Sequence, residues 1–177
     1  RTIFPLIFIV GILCFISIYA LLNKAHTQQV NTLQTLLVQE AEAHFSTIKQ
    51  LKIWHEKFGG VFKPSTSSDQ YHFEIFSLTP KNHFNRAHGF AEDALNVFEK
   101  MAPQKSYYRF SEDQLDFDYM GALYVEKRCL QCHTNYKLGD VRGGVKISIP
   151  LSNYQDSIHS LNKQYQSFVA DIEQNLQ

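Results

Sequence analysis

The sequence of 177 residues predicts an α+β fold, with a small sheet domain between two long helices. Twenty consecutive positions, Ile3–Leu22, carry no charged side chain. Residues 23–58 contain neither proline nor glycine, and their apolar side chains recur at three- and four-residue steps, which is typical of a helix. Between residues 59 and 150, short alternating segments rich in aromatic residues are separated by turn residues, which is typical of strands.

The composition excludes several classes of protein. Lys plus Arg and Asp plus Glu both number 17, so the net charge is zero with neutral histidines. This balance argues against a nucleic-acid-binding surface and against an acidic disordered chain. Hydrophobic residues make up 44% of the chain, which is enough for a packed core, and three cysteines are too few for a disulfide scaffold.

Ile3–Leu22 predicts a membrane-spanning helix, because twenty residues at 1.5 Å per residue span roughly 30 Å, the thickness of a bilayer core. A cleaved signal peptide and a buried core helix are the alternatives. The apolar run is longer than the usual signal region of about 7–15 residues, and it has no polar face. Because the chain opens on Arg1 and ends within a helical pattern, we expect a fragment of a longer protein. The predicted organisation is an anchor over 1–22, a continuous long helix over 23–58, the sheet domain over 59–150, and an exit helix over 151–177.

Five strands and one short helix are predicted within the sheet domain. The long helix is expected to end at Gly59 and Gly60, because glycine is common just after helix ends. A polar loop is expected at Ser65–Gln70, and a glycine-rich turn at Gly139–Gly144. The predicted strands are Val61–Pro64, Tyr71–Leu78, Tyr107–Phe110, Phe117–Val125 and Val145–Ile149, and the predicted helix is Gly89–Met101.

The chemistry concentrates in Cys129-Leu130-Gln131-Cys132-His133, a C-x-x-C-H sequence. This pattern is typical of covalent c-type haem attachment, because thiols three positions apart reach the two vinyl groups of one porphyrin. The imidazole of His133 then supplies an axial nitrogen to the iron. A dithiol redox motif, a zinc site and a disulfide are the alternatives. An exported domain favours the haem, since c-type haem is attached on the outer side of the membrane.

The sequence resembles a known family over roughly Ile48–Pro150. One shared block is Ser77–Asn82 with Asn85, and the most specific is the C-x-x-C-H sequence followed by Gly139–Gly144. These blocks are similar to those of single-haem c-type sensor domains with a PAS-like fold, which occur in bacterial membrane receptors. The resemblance implies a PAS-like antiparallel sheet and an input domain that responds to a ligand or to redox state.

Four further residues are candidates for contacts with the haem. Met120 or His44 is a candidate distal ligand, although core packing explains Met120 and packing along a helix row explains His44. Another histidine, water or an open position also remains. Arg142 and Arg128 are the first candidates to bind the two propionates, because the guanidinium fork matches a carboxylate. Arg142 is the first choice, and a solvated hairpin tip is the alternative explanation for it.

Two functions are consistent with this sequence. The first is a sensor domain in the periplasm, anchored to the inner membrane, that responds to redox state or to a diatomic gas at the haem iron. The spacing of apolar residues from Tyr154 to Ile172 favours a homodimer, although packing within one chain gives the same pattern. The alternative is a membrane-anchored electron-transfer cytochrome, and the sequence beyond Gln177 would discriminate them. We expect no enzymatic activity in this chain.

Overall fold

The computed structural model describes residues 3–58, 65–67, 70–80, 82–101, 103–131 and 135–175. Over these residues the chain forms three α-helices and one five-stranded antiparallel sheet. The helices are α1 (Ile3–Phe58), α2 (Phe90–Lys100) and α3 (Gln155–Asn175). The strands are β1 (Ser65–Ser67), β2 (His72–Phe76), β3 (Ser106–Phe110), β4 (Asp116–Tyr124) and β5 (Val141–Pro150). The predicted PAS-like α+β class is therefore confirmed.

α1 joins the predicted anchor and the predicted long helix in one element. Its span Phe8–Ile53 contains an 18-residue window that is long and apolar enough to cross a membrane, and none of that window is buried. This helix is consistent with a membrane anchor. The predicted helix end at Gly59 and Gly60 and the predicted strand Val61–Pro64 lie outside the described residues.

The chain divides into two compact units. Leu37–Asn153 forms one unit, which contains the sheet, α2 and the C-terminal part of α1. The residues up to Leu36 and those from Tyr154 onward form the other, so α3 belongs to this second unit. α3 confirms the predicted exit helix. The four-part division with boundaries at residues 22, 58 and 150 stays a prediction.

The sheet has the strand order β1-β2-β5-β4-β3, and every neighbouring pair is antiparallel. The longest ladder joins β4 to β5, from the pair Asp116 and Pro150 to the pair Tyr124 and Val141. Because these strands follow each other along the chain, the segment between them leaves and returns at one end of the sheet. That segment contains the C-x-x-C-H sequence.

Helices cover both faces of this sheet. Side chains of α2 pack against Phe76, Met120 and Ala122 in one buried cluster. Tyr119 and Gly121 point to the opposite face, because successive strand residues alternate between faces. There the ring of Phe45 on α1 lies 6.3 Å from the ring of Tyr119. Leu37, Ala41 and Ile48 of α1 are also buried, so part of the predicted apolar stripe is used within the chain.

Two sequence predictions about this sheet are wrong. Ser65–Ser67 was expected to be part of a polar loop, but it forms the edge strand β1, because its backbone pairs with His72–Glu74. Pairing with a neighbour outweighs the weak strand preference of serine. The predicted turn Gly139–Gly144 is also shorter than expected, since β5 already begins at Val141.

The glycines at the start of β5 allow close approach of neighbouring groups. A Cβ atom added to Gly143 would overlap the carbonyl oxygen of Phe76 on β2. A Cβ atom on Gly144 would lie 2.9 Å from Cε of Met120. Gly139 alone in this block adopts the left-handed backbone conformation that favours glycine, with φ of 89°. Gly143 and Gly144 are therefore needed for space within the sheet.

We expect Gly143→Ala to destabilise the sheet domain. The added methyl group would meet backbone rather than a mobile side chain, so β2 and β5 must move apart. Overpacking of this kind costs about 1–3 kcal/mol in the free energy of unfolding. Thermal unfolding followed by circular dichroism measures the change. Gly11→Ala is the matched control, because nothing lies within 4 Å of an added Cβ atom there; equal melting temperatures for both variants would contradict the prediction.

Candidate functional site

The segment between β4 and β5 is closed at its base by backbone hydrogen bonds. The Val125 N–H donates to the Asp140 carbonyl at 2.9 Å, and the Gly139 N–H donates to the Val125 carbonyl at 3.0 Å. Val125 is itself 2% exposed, so its side chain anchors the base in the core. Both ends of the segment are therefore fixed to the sheet.

Cys129 lies on a short 3₁₀ turn, Lys127–Gln131, at the start of this segment. Its N–H donates to the Glu126 carbonyl at 2.8 Å, and the Glu126 N–H lies 3.4 Å from its Sγ atom. The thiol is free and partly exposed. Cys132 and His133 lie outside the described residues, so their predicted roles stay predictions.

Glu126 connects the Cys129 turn to α1. Its carboxylate lies 2.7 Å from the Arg128 guanidinium and 3.2 Å from the Lys49 ammonium on α1. Burial raises the pKa of Glu126, but the hydrogen bonds and charges of Lys49 and Arg128 lower it further, so the net pKa lies below its usual value. The carboxylate is therefore charged at neutral pH and holds both cations. Arg128, a predicted propionate ligand, is already paired in this arrangement.

Two neighbouring cavities lie at this end of the sheet. The larger has a volume of about 560 Å³, within the range of ordinary ligand pockets. Its lining includes Ile75, Phe76 and Leu123, together with Asn135 and Tyr136 from the segment that follows the motif. The smaller cavity, of about 40 Å³, is lined by Cys129 and Glu126 among others. The two cavities share three lining residues, namely Lys52, Leu123 and Arg142.

Arg142 lines both cavities. It lies near the start of β5, and its carbonyl accepts a hydrogen bond from the Ser77 hydroxyl at 3.0 Å. The loop that follows β2 forms part of the same wall, and the Thr79 and Tyr136 hydroxyls lie 3.2 Å apart where it meets the segment after the motif. The sequence prediction of Arg142 as a ligand-binding residue agrees with this location and stays a prediction.

Met120 and His44 do not line either cavity. Met120 is 0% exposed and belongs to the cluster formed with α2, on the sheet face opposite α1. His44 stacks on Tyr71, with ring centroids 3.8 Å apart, and its Nε2 lies 3.7 Å from the Glu40 carboxylate. Both locations fit the packing alternatives considered for these residues, and neither tests a role at an iron.

Comparison with known proteins identifies the family. A model of the Tll0287-like family matches residues 21–150, which is well over half of the chain. The chain belongs to the Tll0287-like family. Among solved structures, the crystal structure of the cyanobacterial heme-protein Tll0287 is similar, at 17% identity and a TM-score of 0.40; the match covers 58% of this chain and 68% of that chain. No curated protein matches the chain. The family resemblance inferred from the sequence is confirmed.

The blocks that carried the resemblance meet at one site in this Tll0287-like domain. Ser77, Thr79, Asn82 and Asn85 line the larger cavity, beside Gly143 of the glycine block. The block from Ser77 to Asn85 and the glycine block are far apart in sequence, and the pairing of β2 with β5 brings them together. Sequence reasoning missed Lys52, Glu126 and Tyr136 as residues of this site. The three-residue step from Lys49 to Lys52 gives no signal by itself, because lysines on a long helix are common.

We expect Met120→Ala to lower stability without changing the haem spectrum of the loaded protein. Met120 is fully buried against α2, and such truncations cost about 2–5 kcal/mol in the free energy of unfolding. Chemical denaturation measures the loss, and absorption spectra of the oxidised and reduced forms test the iron ligands. Met101→Ala is the matched control, because that side chain is 64% exposed. A change in the absorption spectrum of the haem in Met120→Ala, but not in Met101→Ala, would show that Met120 is an axial ligand.

Proposed function

We propose that this chain is a haem-c sensor domain of a membrane-anchored receptor, which responds to redox state or to a small gas at the iron. One haem would be bound covalently by Cys129 and Cys132, with His133 as the proximal ligand. The observation that carries the proposal is the position of Cys129 and Asn135, which lie on either side of Cys132 and His133 in the sequence. Cys129 lines the smaller cavity, and Asn135 lines the larger one.

The residues around the cavities fit a haem. Cys129 supplies a free thiol, Leu123 and Ile75 supply apolar wall, and Arg142 supplies a cation for a carboxylate. The solved relative is named as a heme-protein, which supports the same cofactor here. When bound, the haem supplies one-electron chemistry and an iron that takes a diatomic ligand. The chain's own residues attach the cofactor, orient it and restrict access of water.

Contacts between the motif segment and α1 support a sensor over an electron carrier. The Glu126 N–H donates to the Cys129 sulfur at 3.4 Å, and the Glu126 carboxylate pairs with Lys49 on α1. An exposed ion pair contributes about 0–1 kcal/mol. The packing of Phe45 of α1 on Tyr119 and Gly121 adds a second, apolar connection. A change of charge at the site would therefore alter how firmly this helix is held.

The location and assembly follow from the same elements. α1 includes a stretch suited to crossing a membrane, and covalent haem attachment takes place outside the cytosol. We therefore propose an inner-membrane anchor with the haem domain in the periplasm. The apolar spacing along Tyr154–Ile172 supports a homodimer through α3. In this scheme the chain acts as an input domain and has no catalytic residues of its own.

Haem loading of the full chain tests the attachment. In a host with the c-type maturation machinery, we expect a mass increase of one haem and a haemochrome spectrum. Cys129→Ala or Cys132→Ala should lower covalent loading strongly, and the double variant should abolish it. Cys14→Ala is the matched control and should load normally, because Cys14 lies in the apolar part of α1. Bare polypeptide in the unmodified chain, or covalent haem in the double variant, would refute the proposal.

The sensor function predicts that α1 responds to the state of the iron. We expect hydrogen exchange within the α1 segment 37–53 to change about tenfold between the oxidised and reduced haem protein, equivalent to about 1.4 kcal/mol. The double-cysteine variant treated with the same reductant is the control and should not respond. Identical exchange in the oxidised, reduced and carbon-monoxide-bound forms would favour the electron-transfer cytochrome.

A further inference from the structure

We propose that Lys52 on α1 and Arg142 on β5 together bind the haem propionates, joining the helix to the sheet through the cofactor. This inference rests on the proposed function, because it takes the haem to occupy the cavities beside Cys129. Its new element is Lys52, a residue that lies outside the motif and on a different element from Arg142.

The first observation is that the two cations line the same two cavities. Lys52 and Arg142 both line the larger cavity and both line the smaller one. Among the described residues, Leu123 is the remaining member of this shared wall, and it is apolar. A ligand that fills both cavities would therefore meet these two cations together, at the junction beside the Cys129 turn.

The second observation is charge. Among the described residues that line the larger cavity, Lys52 and Arg142 are the charged side chains, and no Asp or Glu accompanies them. The smaller cavity adds Lys49 and Arg128 together with Glu126. Glu126 lies within 3.2 Å of Lys49 and 2.7 Å of Arg128, so its negative charge is shared by these two cations. Within the described part of the chain, no carboxylate forms an ion pair with Arg142.

The third step is energetic. Both cations line the two cavities, so a ligand with negative charge at this junction is attracted to them and a positively charged one is repelled. Haem carries two carboxylates, which match two cations in number. The guanidinium of Arg142 offers a fork of donors for one carboxylate, and the ammonium of Lys52 offers a compact charge for the other.

The structural consequence is a cofactor-dependent connection. Lys52 lies on α1, one turn beyond Lys49, whereas Arg142 is fixed to β2 through the Ser77 hydroxyl. Binding of both propionates would add a second charged link between helix and sheet beside the pair Lys49 and Glu126. Both links would then respond to the charge on the iron, which gives α1 its sensitivity to redox state.

The test uses the full chain with covalently attached haem, in which Lys52→Gln and Arg142→Gln are compared with the unmodified protein. Each substitution removes a positive charge beside the haem, which favours the oxidised form. We expect the equilibrium between oxidised and reduced forms to shift about tenfold, corresponding to a reduction potential about 59 mV lower for one electron. The pH dependence of the potential should also move to higher pH, because a propionate without its cation has a higher pKa.

Controls separate this inference from the proposed function. Lys100→Gln removes an exposed lysine at the end of α2, and it should change neither the potential nor its pH dependence. Lys52→Arg keeps the charge and should restore both. Lys52→Gln and Arg142→Gln could carry covalent haem and still have the same potential and pH profile as Lys100→Gln. That result would overturn this inference but not the proposed function. Absence of haem from the unmodified chain would instead overturn the proposed function.

Discussion

The antiparallel ladder between β4 and β5 fixes the two ends of the motif segment at one end of the sheet. Tyr124 and Val141 are its last pair, and the reciprocal backbone hydrogen bonds of Val125 continue it by one step. A chain that leaves one strand and returns on its antiparallel neighbour must bring its two ends together. Cys129 follows one end and Arg142 begins the other. The thiol and the cation therefore both line the smaller cavity, although thirteen positions separate them.

The close packing of this ladder depends on residues without bulky side chains. Gly143 allows the Phe76 carbonyl to approach β5, and Gly144 leaves room for the Met120 side chain on the α2 face. Gly121 does the same for the Phe45 ring on the α1 face. Small residues on β4 and β5 thus allow helices to lie close on both sides. This closeness brings Lys49 and Lys52 of α1 to the end of the sheet where the cavities open.

α1 contacts the site and also includes residues outside the compact unit that contains the sheet. Its residues 44–52 contact the sheet and the Cys129 turn through Phe45, Lys49 and Lys52. The same helix includes the stretch suited to crossing a membrane. The contacts at its C-terminal part combine an apolar ring contact with exposed charges, and exposed charges respond to a nearby change of charge at small energetic cost. These contacts are the basis on which we propose an input domain rather than a rigid carrier.

The sequence pattern determined the helices, most of the strands and the location of the C-x-x-C-H motif, because periodicity, uncharged length and residue spacing are local properties. The start of β5 and the edge strand Ser65–Ser67 were not predictable, since their extended backbone depends on a partner strand and not on the preferences of glycine or serine. The C-x-x-C-H motif predicted Cys129 as a site residue, and the guanidinium of Arg142 made that residue a candidate to bind a propionate. Only the tertiary structure added Lys52, Glu126 and Tyr136, and it shows Met120 buried in the cluster with α2. Those residues come from separate elements, and their role depends on which surfaces the folded chain brings together.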